Sequence, residues 1–161
     1  MKLFGVIDED FVNYKKISMI LEFPTCTFKC NKEQGCKVCQ NSHLSSFNSQ
    51  EYNTLELIKH YLSNDITEAI VMQGLEPFDS FEDLFEFISK FRDVCDDDIV
   101  IYSGYTVEEI KDKLTLLKMF DNIIVKFGRF IPSEKAKFDE VLGVNLVSPN
   151  QYASYLHDLD L

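Results

Sequence analysis

Four of the five cysteines in this chain lie within fourteen residues, in the segment FPTCTFKCNKEQGCKVCQN. They are Cys26, Cys30, Cys36 and Cys39, with the spacing C-x3-C-x5-C-x2-C. Such a tight group indicates metal binding rather than a disulfide framework, whose cysteines would be spread along the chain. The spacing leaves two kinds of centre open. Structural zinc takes four closed ligands, whereas three thiolates on an iron–sulfur cluster would leave one iron free for another ligand.

Composition limits the class of protein that carries this loop. The chain has 161 residues, of which 45% are hydrophobic and 27% charged, and we expect a single domain over residues 1–161. With 16 Lys+Arg against 27 Asp+Glu, the net charge of −11 argues against direct binding of nucleic acid or of an anionic membrane. No apolar run reaches the ~20 residues of a membrane span, and the start, MKLFGVIDED, becomes acidic too early for a secretory signal. We therefore expect a cytoplasmic protein. The isolated Cys95 is interpreted as a partly buried small residue.

Short apolar runs alternate along the chain with segments of helical periodicity. The predicted strands are Lys16–Phe23, Glu68–Met72, Asp98–Tyr102 and Asn122–Lys126. Helices are predicted from about Asn53 to Ser63, from Ser80 to Phe91 and from Thr106 to Leu117, with a short terminal helix from about Gln151. The segment between the fourth strand and Gln151 has no regular pattern. This alternation predicts βαβ units and a mostly parallel sheet.

The strands must position the chemically interesting segments. Right-handed crossovers align the carboxyl ends of parallel strands at one edge of the sheet, which is where ligands bind in open α/β folds. The cysteine loop, the GLEP turn, the SGY turn and the FGRF segment each follow one of the four strands. We therefore expect these four segments to converge on one site.

Two of these segments resemble motifs of the radical S-adenosylmethionine (radical SAM) enzymes. In that superfamily a C-x3-C-x2-C loop follows the first strand, often closing with Cys-x-Asn, and the second strand ends in Gly-Gly-Glu-Pro. Here Cys39-Gln40-Asn41 closes the loop and Gly74-Leu75-Glu76-Pro77 follows the second strand. From Ile17 onward the chain is most similar to the activating proteins of anaerobic (class III) ribonucleoside-triphosphate reductase. The similarity includes IVIYSGYTVEEI, NIIVKFGRFI and LVSPNQ, in that order.

The resemblance implies a fold, two cofactors and a reaction. The implied fold is α/β, a partial (incomplete) βα barrel with a mostly parallel sheet and the cluster loop after the first strand. The implied ligands of a 4Fe–4S cluster are Cys26, Cys30 and Cys39. The residues implied to contact S-adenosyl-L-methionine (SAM) are Gly74, Leu75, Glu76 and Pro77. The reaction would be reductive cleavage of SAM to a 5′-deoxyadenosyl radical, which installs a glycyl radical on a large reductase subunit. A donor such as flavodoxin or ferredoxin would supply the electron, and no side-chain acid or base is required, so no catalytic residue is assigned.

The chain departs from the family pattern in two places, and other interpretations stay open. Eight residues, Asn31–Val38, stand where the family has two, and Cys36 lies inside this insert. A rival assignment uses Cys36 and Cys39 with one of the first two cysteines, and four thiolate ligands would leave no open iron. Leu75 replaces a glycine of the family motif. The alternative functions are a radical SAM enzyme acting on a small molecule and a zinc- or cluster-stabilised binding module without turnover.

Four further polar residues are secondary candidates. Arg129 is either the partner of a carboxylate or a solvated surface arginine. Ser148 or Asn150 would line the mouth of a pocket, or else form a turn. His43, just after the cysteine loop, is the histidine to test as an accessory group.

Overall fold

A six-stranded sheet forms the centre of the molecule, which is described for residues 1–161 by a computed structural model. The strands are β1 (Lys2–Leu3), β2 (Gly5–Asp10), β3 (Ser18–Phe23), β4 (Gln50–Glu51), β5 (Ala69–Gly74), β6 (Asp98–Tyr102), β7 (Ile123–Phe127), β8 (Lys137–Asp139), β9 (Val144–Leu146) and β10 (Tyr152–Tyr155). The α-helices are α1 (Lys29–Gln34), α2 (Thr54–Leu62), α3 (Phe81–Arg92) and α4 (Lys111–Leu117). None of the helices has the length and apolar character needed to cross a membrane.

The order of strands in the sheet is β10-β7-β6-β5-β3-β2, so the sheet is open. Strands β3, β5, β6 and β7 are parallel, and β2 and β10 pair antiparallel at the two edges. The short strands make two small ladders, β1 with β4 and β8 with β9. The predicted α/β class and mostly parallel sheet are therefore confirmed, and each of the four predicted strands lies within two residues of an observed one.

Alternate residues of the parallel strands pack on opposite faces of the sheet. Leu21 of β3 and Met72 of β5 belong to the larger core, which also contains the apolar faces of α2, α3 and α4. Ile20 and Val71 belong to the smaller core on the other face, with Leu142 beside the β8–β9 hairpin. Burial on both faces is the reason that these strands are almost continuously apolar in sequence. The sheet is therefore a layer buried on both faces.

The prediction of a carboxyl-terminal helix from Gln151 is wrong. Tyr152–Tyr155 instead forms β10, which pairs with β7 and closes one edge of the sheet, and a short 3-10 helix (Leu156–Asp158) follows. The backbone groups of β7 need a hydrogen-bonding neighbour, and this tertiary requirement outweighs a weak local preference. Several further elements had no sequence prediction, namely the acidic edge strand β2, the short ladder of β1 with β4, helix α1 and the β8–β9 hairpin.

The predicted helix starts differ in how their caps are made. Asn53 caps α2 through Oδ1, which accepts from the N–H groups of Leu55 and Glu56. At the predicted capping box of Thr106, only one half forms, since the Thr106 N–H donates to the Glu109 carboxylate. A 3-10 turn (Glu108–Ile110) then precedes α4. Glu109 is drawn towards two cations of the candidate site, described below.

Candidate functional site

The four loops that follow the parallel strands meet around Gly104. A Cβ added at Gly104 would lie 3.7 Å from Cys30 Sγ, 3.7 Å from Glu76 Oε2 and 3.8 Å from Arg129 Cγ. These atoms belong to the cysteine loop, the GLEP turn and the segment after β7, while Gly104 itself follows β6. The predicted convergence of the four segments at the carboxyl edge of the sheet is therefore confirmed.

The cysteine loop is shaped by local hydrogen bonds and two left-handed residues. Phe28 has φ 52° and precedes α1, and its N–H donates to Cys26 Sγ at 3.2 Å. Gly35, with φ 66°, ends α1. Asn31 Oδ1 accepts hydrogen bonds from the N–H groups of Val38 and Cys39, both at 2.9 Å. The eight-residue insert is thus folded back on itself, which returns the chain to Cys39 beside the first half of the loop.

Three of the four clustered thiols, Cys26, Cys30 and Cys39, are partly buried, whereas Cys36 is exposed. Burial is the main cause that raises the pKa of Cys26 to about 12. The neighbouring Cys39 thiol makes a smaller contribution in the same direction. Burial also raises the pKa of Cys30, again with a contribution from Cys39 and against the opposing effect of Arg129. Such thiols stay protonated at neutral pH unless a metal centre replaces their protons. All five cysteines are free thiols.

The spacing of these thiols bears on the kind of metal centre. No three His, Cys, Asp or Glu side chains are close enough together to hold a single metal ion. A zinc ion would require its sulfurs within roughly 4 Å of one another, since Zn–S bonds are ~2.3 Å long. In an iron–sulfur cluster each thiolate binds a different iron, so the ligands stand farther apart. Cys26, Cys30 and Cys39 are soft donors of the kind that an iron–sulfur cluster takes.

Comparison with known families agrees with this donor set. The family model described as a 4Fe-4S single cluster domain matches residues 21–148, which is most of the chain. The chain belongs to this family of 4Fe–4S proteins. No curated protein and no solved structure matches it. The prediction of an iron–sulfur protein is thereby confirmed, and a 4Fe–4S cluster is the cofactor that the family indicates.

In this 4Fe–4S protein the GLEP turn is attached to both ends of the cysteine loop. The N–H of Leu75 donates to the carbonyl of Phe23, and that of Glu76 to the carbonyl of Thr25. Asn41 Nδ2 donates to the Gly74 carbonyl at 2.9 Å. Gly74 has φ 103°, and a Cβ there would lie 2.8 Å from the backbone N and O of Phe23. Only glycine fits this position.

The Glu76 carboxylate is used inside the protein. Its side chain is buried, Oε1 accepts from the Phe78 N–H at 3.2 Å and Oε2 accepts from the Gly104 N–H at 2.8 Å. Burial raises the pKa of Glu76 to about 7, while these hydrogen bonds act in the opposite direction. The side chain thus joins the GLEP turn to the SGY turn. Pro77 is buried and Leu75 is partly exposed, and cofactor contact by Gly74–Pro77 stays a prediction.

A cavity of about 330 Å³ opens on the Cys39 side of the site and is called here the Lys126 cavity. Its walls include Cys39, Asn41, Gln73, Tyr102, Lys126 and Gln151. Lys126 is only 7% exposed, and its Nζ donates to the carbonyls of Ser103 and Gly128, which leaves the third N–H without a protein partner. Burial lowers the pKa of Lys126 to about 8, so the group is still mainly cationic at neutral pH.

The sequence analysis did not identify Lys126 as a site residue, although the sequence contains one signal of its role. It is the one charged residue at the end of the otherwise apolar strand NIIVK, at the edge where ligands are expected. A charged side chain in a buried strand is rarely tolerated without a partner. In this protein the partners are the carbonyls of Ser103 and Gly128, which directly follow β6 and β7.

A second cavity, of about 350 Å³, lies on the Cys30 side and is called here the Arg129 cavity. Arg129 Nη2 bonds Glu109 at 2.6 Å, and its Nε lies 3.2 Å from a Glu33 oxygen. Lys29 reaches the same Glu109 oxygen at 3.1 Å. Of the two interpretations of Arg129, the structure shows the one in which it pairs with a carboxylate. Both of its carboxylate partners, Glu33 and Glu109, belong to the protein itself. The ion pairs attach α1 of the insert to the loops after β6 and β7.

The remaining candidate residues are Asn150, Ser148 and His43, and only Asn150 lines one of the two cavities. Asn150 lines the Arg129 cavity and donates to the Arg129 carbonyl at 2.9 Å. Ser148 is fully buried and its hydroxyl accepts from the Ile131 N–H, so it does not line a cavity mouth. His43 is exposed, with its ring nitrogen near the Gln40 carbonyl.

Proposed function

We propose that this 4Fe–4S protein is a radical SAM activating enzyme that installs a glycyl radical on an anaerobic ribonucleotide reductase. In this proposal Cys26, Cys30 and Cys39 hold the cluster, and the open parallel sheet is an incomplete βα barrel. The observation that carries it is the position of Cys39, which influences both Cys26 and Cys30, in the wall of a polar cavity that contains an incompletely paired lysine. When bound, the cluster and SAM supply one-electron cleavage of the sulfonium and the hydrogen abstraction that follows.

Binding of SAM to the cluster requires that the loop supply three thiol ligands and leave one iron without a protein ligand. Cys39 lies near both Cys26 and Cys30, whereas Cys36 is exposed after Gly35. Because Cys36 lies on the exposed turn of the insert, three partly buried thiols, Cys26, Cys30 and Cys39, are left as ligands. A three-ligand cluster retains a position for an exogenous group, and a four-ligand cluster does not.

The Lys126 cavity has the polar groups that an amino-acid moiety needs. The free N–H of Lys126 suits a carboxylate, because a buried cation forms strong charge-assisted hydrogen bonds. Backbone groups of Gly74 and Leu75 lie at the same edge, fixed by Phe23 and Asn41. We therefore assign the methionine end of SAM to this cavity, beside the GLEP turn.

The rim of the same cavity favours a polypeptide over a small molecule as the substrate. Val12, in the β2–β3 loop, is 72% exposed, and Val147, after β9, is 40% exposed. Both line the cavity and present apolar surface at its opening. Exposed apolar residues around a polar site are typical of surfaces that bind other proteins. The segment of the reductase that contains the target glycine would contact this rim.

Anaerobic reconstitution followed by a turnover assay tests the proposal. We expect a brown protein with about four iron and four sulfide per chain, as a 4Fe–4S cluster requires. After reduction with dithionite, added SAM should be converted to 5′-deoxyadenosine and methionine. With the large reductase subunit present, a glycyl radical should appear by electron paramagnetic resonance. A cluster that never cleaves SAM would contradict the proposed reaction, and a colourless protein with stoichiometric zinc would contradict the cluster itself.

A further inference from the structure

The insert in the cysteine loop is basic within an otherwise acidic chain. It carries Lys32 and Lys37 against one acidic residue, Glu33, although the net charge of the chain is −11. Glu33 is neutralised by Arg129. Lys32 and Lys37 are exposed and take part in none of the ion pairs of the structure. The insert therefore presents two free positive charges, and we call this region the insert surface.

These charges lie next to two of the proposed cluster ligands in sequence. Lys32 is two residues after Cys30, and Lys37 is two residues before Cys39. The loop that carries them is held against the site by Asn31 and by the Glu33–Arg129 ion pair. A protein bound at the insert surface would be separated from the cluster by only the cysteine loop itself.

The insert surface is also separate from the cavity assigned to the cofactor. Glu33 and Gln34 line the Arg129 cavity, on the Cys30 side. No residue of Asn31–Val38 lines the Lys126 cavity, whose rim is formed by the β2–β3 loop and the β8–β9 region. A partner on the insert surface would therefore leave the Lys126 cavity open.

We propose that the insert surface docks an acidic one-electron carrier protein of the flavodoxin or ferredoxin class, which reduces the cluster from the Cys30 side. The inference rests on the 4Fe–4S cluster and not on SAM cleavage. In the transfer, the carrier loses one electron and the cluster gains it, and no covalent bond is made or broken. The charges support this occupant because the rest of the chain repels an acidic carrier while the insert attracts it. The unpaired lysines thus orient the carrier towards the cluster.

Stopped-flow reduction of the reconstituted protein tests this inference. The reductants are flavodoxin hydroquinone and, separately, a photoreduced neutral deazaflavin, which needs no docking surface. Lys32→Glu and Lys37→Glu should each lower the second-order rate constant with flavodoxin about 3- to 10-fold at low salt. The difference should shrink as ionic strength shortens the screening length. The deazaflavin should reduce all proteins at the same rate.

Lys59→Glu is the matched control, because Lys59 is exposed on α2 and makes the same change in total charge. It should leave the flavodoxin rate within about twofold of the unsubstituted protein. Binding of oxidised flavodoxin to the cluster-free chain, measured by calorimetry, should weaken in the insert variants and not in Lys59→Glu. Equal rates and affinities for Lys37→Glu and Lys59→Glu would overturn the docking site. Because neither measurement uses SAM, failure here is distinguishable from failure of the proposed reaction.

Discussion

Asn31 ties Cys39 to the first half of the cysteine loop: its Oδ1 accepts the Cys39 N–H at 2.9 Å. The same oxygen accepts the Val38 N–H, also at 2.9 Å. One side chain, next to Cys30 in sequence, thus closes a loop of eight inserted residues. Closing a loop costs conformational entropy, and these two bonds offset part of that cost in advance of metal binding.

Replacing Asn31 with Ala should therefore weaken the hold of the loop on its cluster. Two hydrogen bonds of about 1 kcal/mol each are lost, so the ordered form of the loop becomes about 10- to 30-fold less populated. We expect iron bound per chain, after reconstitution with limiting iron, to fall by half or more, with far-ultraviolet circular dichroism unchanged. Asn48→Ala, at an exposed position later in the same loop, is the control. Equal iron contents in the two variants would remove Asn31 from this role.

The exposure of Cys36 leads to a prediction about the four clustered cysteines. Cys36→Ala should keep the cluster and the cleavage of SAM, because this thiol lies on the outer turn of the insert. Alanine at Cys26, Cys30 or Cys39 should abolish both, because each removes one of the three proposed ligands. Iron analysis, visible absorption and 5′-deoxyadenosine formation would measure the outcome. Loss of the cluster in Cys36→Ala alone would favour the rival assignment, in which Cys36 is a ligand.

The parts of the fold that depend on local pattern were predictable, and those that depend on distant partners were not. The buried strands Asp98–Tyr102 and Ile123–Phe127 were identified because parallel strands covered on both faces are continuously apolar. Strand β10 was mistaken for a helix because its structure depends on pairing with β7, more than twenty residues away. Likewise, β2 looks like a solvated acidic loop, and it is a strand because β3 needs an edge neighbour.

In the candidate site, too, some features were predictable from the sequence and others depend on distant partners. The meeting of the four loops follows from the handedness of βαβ units and was predicted from strand order alone. The role of Lys126 was not predictable, because it depends on the Ser103 and Gly128 carbonyls at the ends of two strands. The carboxylate of Glu76 was assigned to a cofactor from its motif, and its bonds to Phe78 and Gly104 emerge only in three dimensions.

Gly74 and Gly35 both have positive φ, and their substitution by Ala should have very different costs. At Gly74 a Cβ would lie 2.8 Å from the Phe23 backbone, between two paired strands that cannot move apart cheaply. We expect Gly74→Ala to lower the free energy of unfolding by about 3 kcal/mol or more. At Gly35 no atom lies within 4 Å of the added Cβ, so only the backbone penalty of about 1 kcal/mol applies. Denaturant unfolding of both variants would show the difference, and equal losses would contradict it.

Lys126→Met should separate cofactor binding from cluster assembly. Methionine fills a similar volume without the charge, so the free N–H that we assign to the SAM carboxylate is lost while the cysteine loop is untouched. We expect the dissociation constant for SAM, measured by anaerobic equilibrium dialysis, to rise about 10- to 100-fold, equivalent to roughly 1.4–2.7 kcal/mol. Iron content should stay at its original value. Unchanged SAM affinity would show that the carboxylate binds elsewhere.

The buried Glu76 carboxyl should make the stability of the cluster-free chain depend on pH. Burial raises its pKa in the folded protein to about 7 from an ordinary value of 4.5. Between these values the native state keeps a proton that the unfolded state releases, so the free energy of unfolding falls as pH rises from about 4.5 to 7. The fall attributable to this group is at most about 3 kcal/mol, at 1.36 kcal/mol per pH unit.

Glu76→Gln isolates that contribution, because the amide cannot ionise. It loses one backbone hydrogen bond at every pH, which is a constant offset of about 1 kcal/mol. Urea unfolding of the cluster-free protein at pH 5.5, 6.5 and 7.5 should therefore show stability falling less steeply with pH in Glu76→Gln than in the unsubstituted chain. Glu82→Gln, at an exposed position in α3, should run parallel to the unsubstituted chain. Parallel curves for Glu76→Gln as well would mean that the carboxyl is already ionised throughout this range, stabilised by the Gly104 and Phe78 N–H groups.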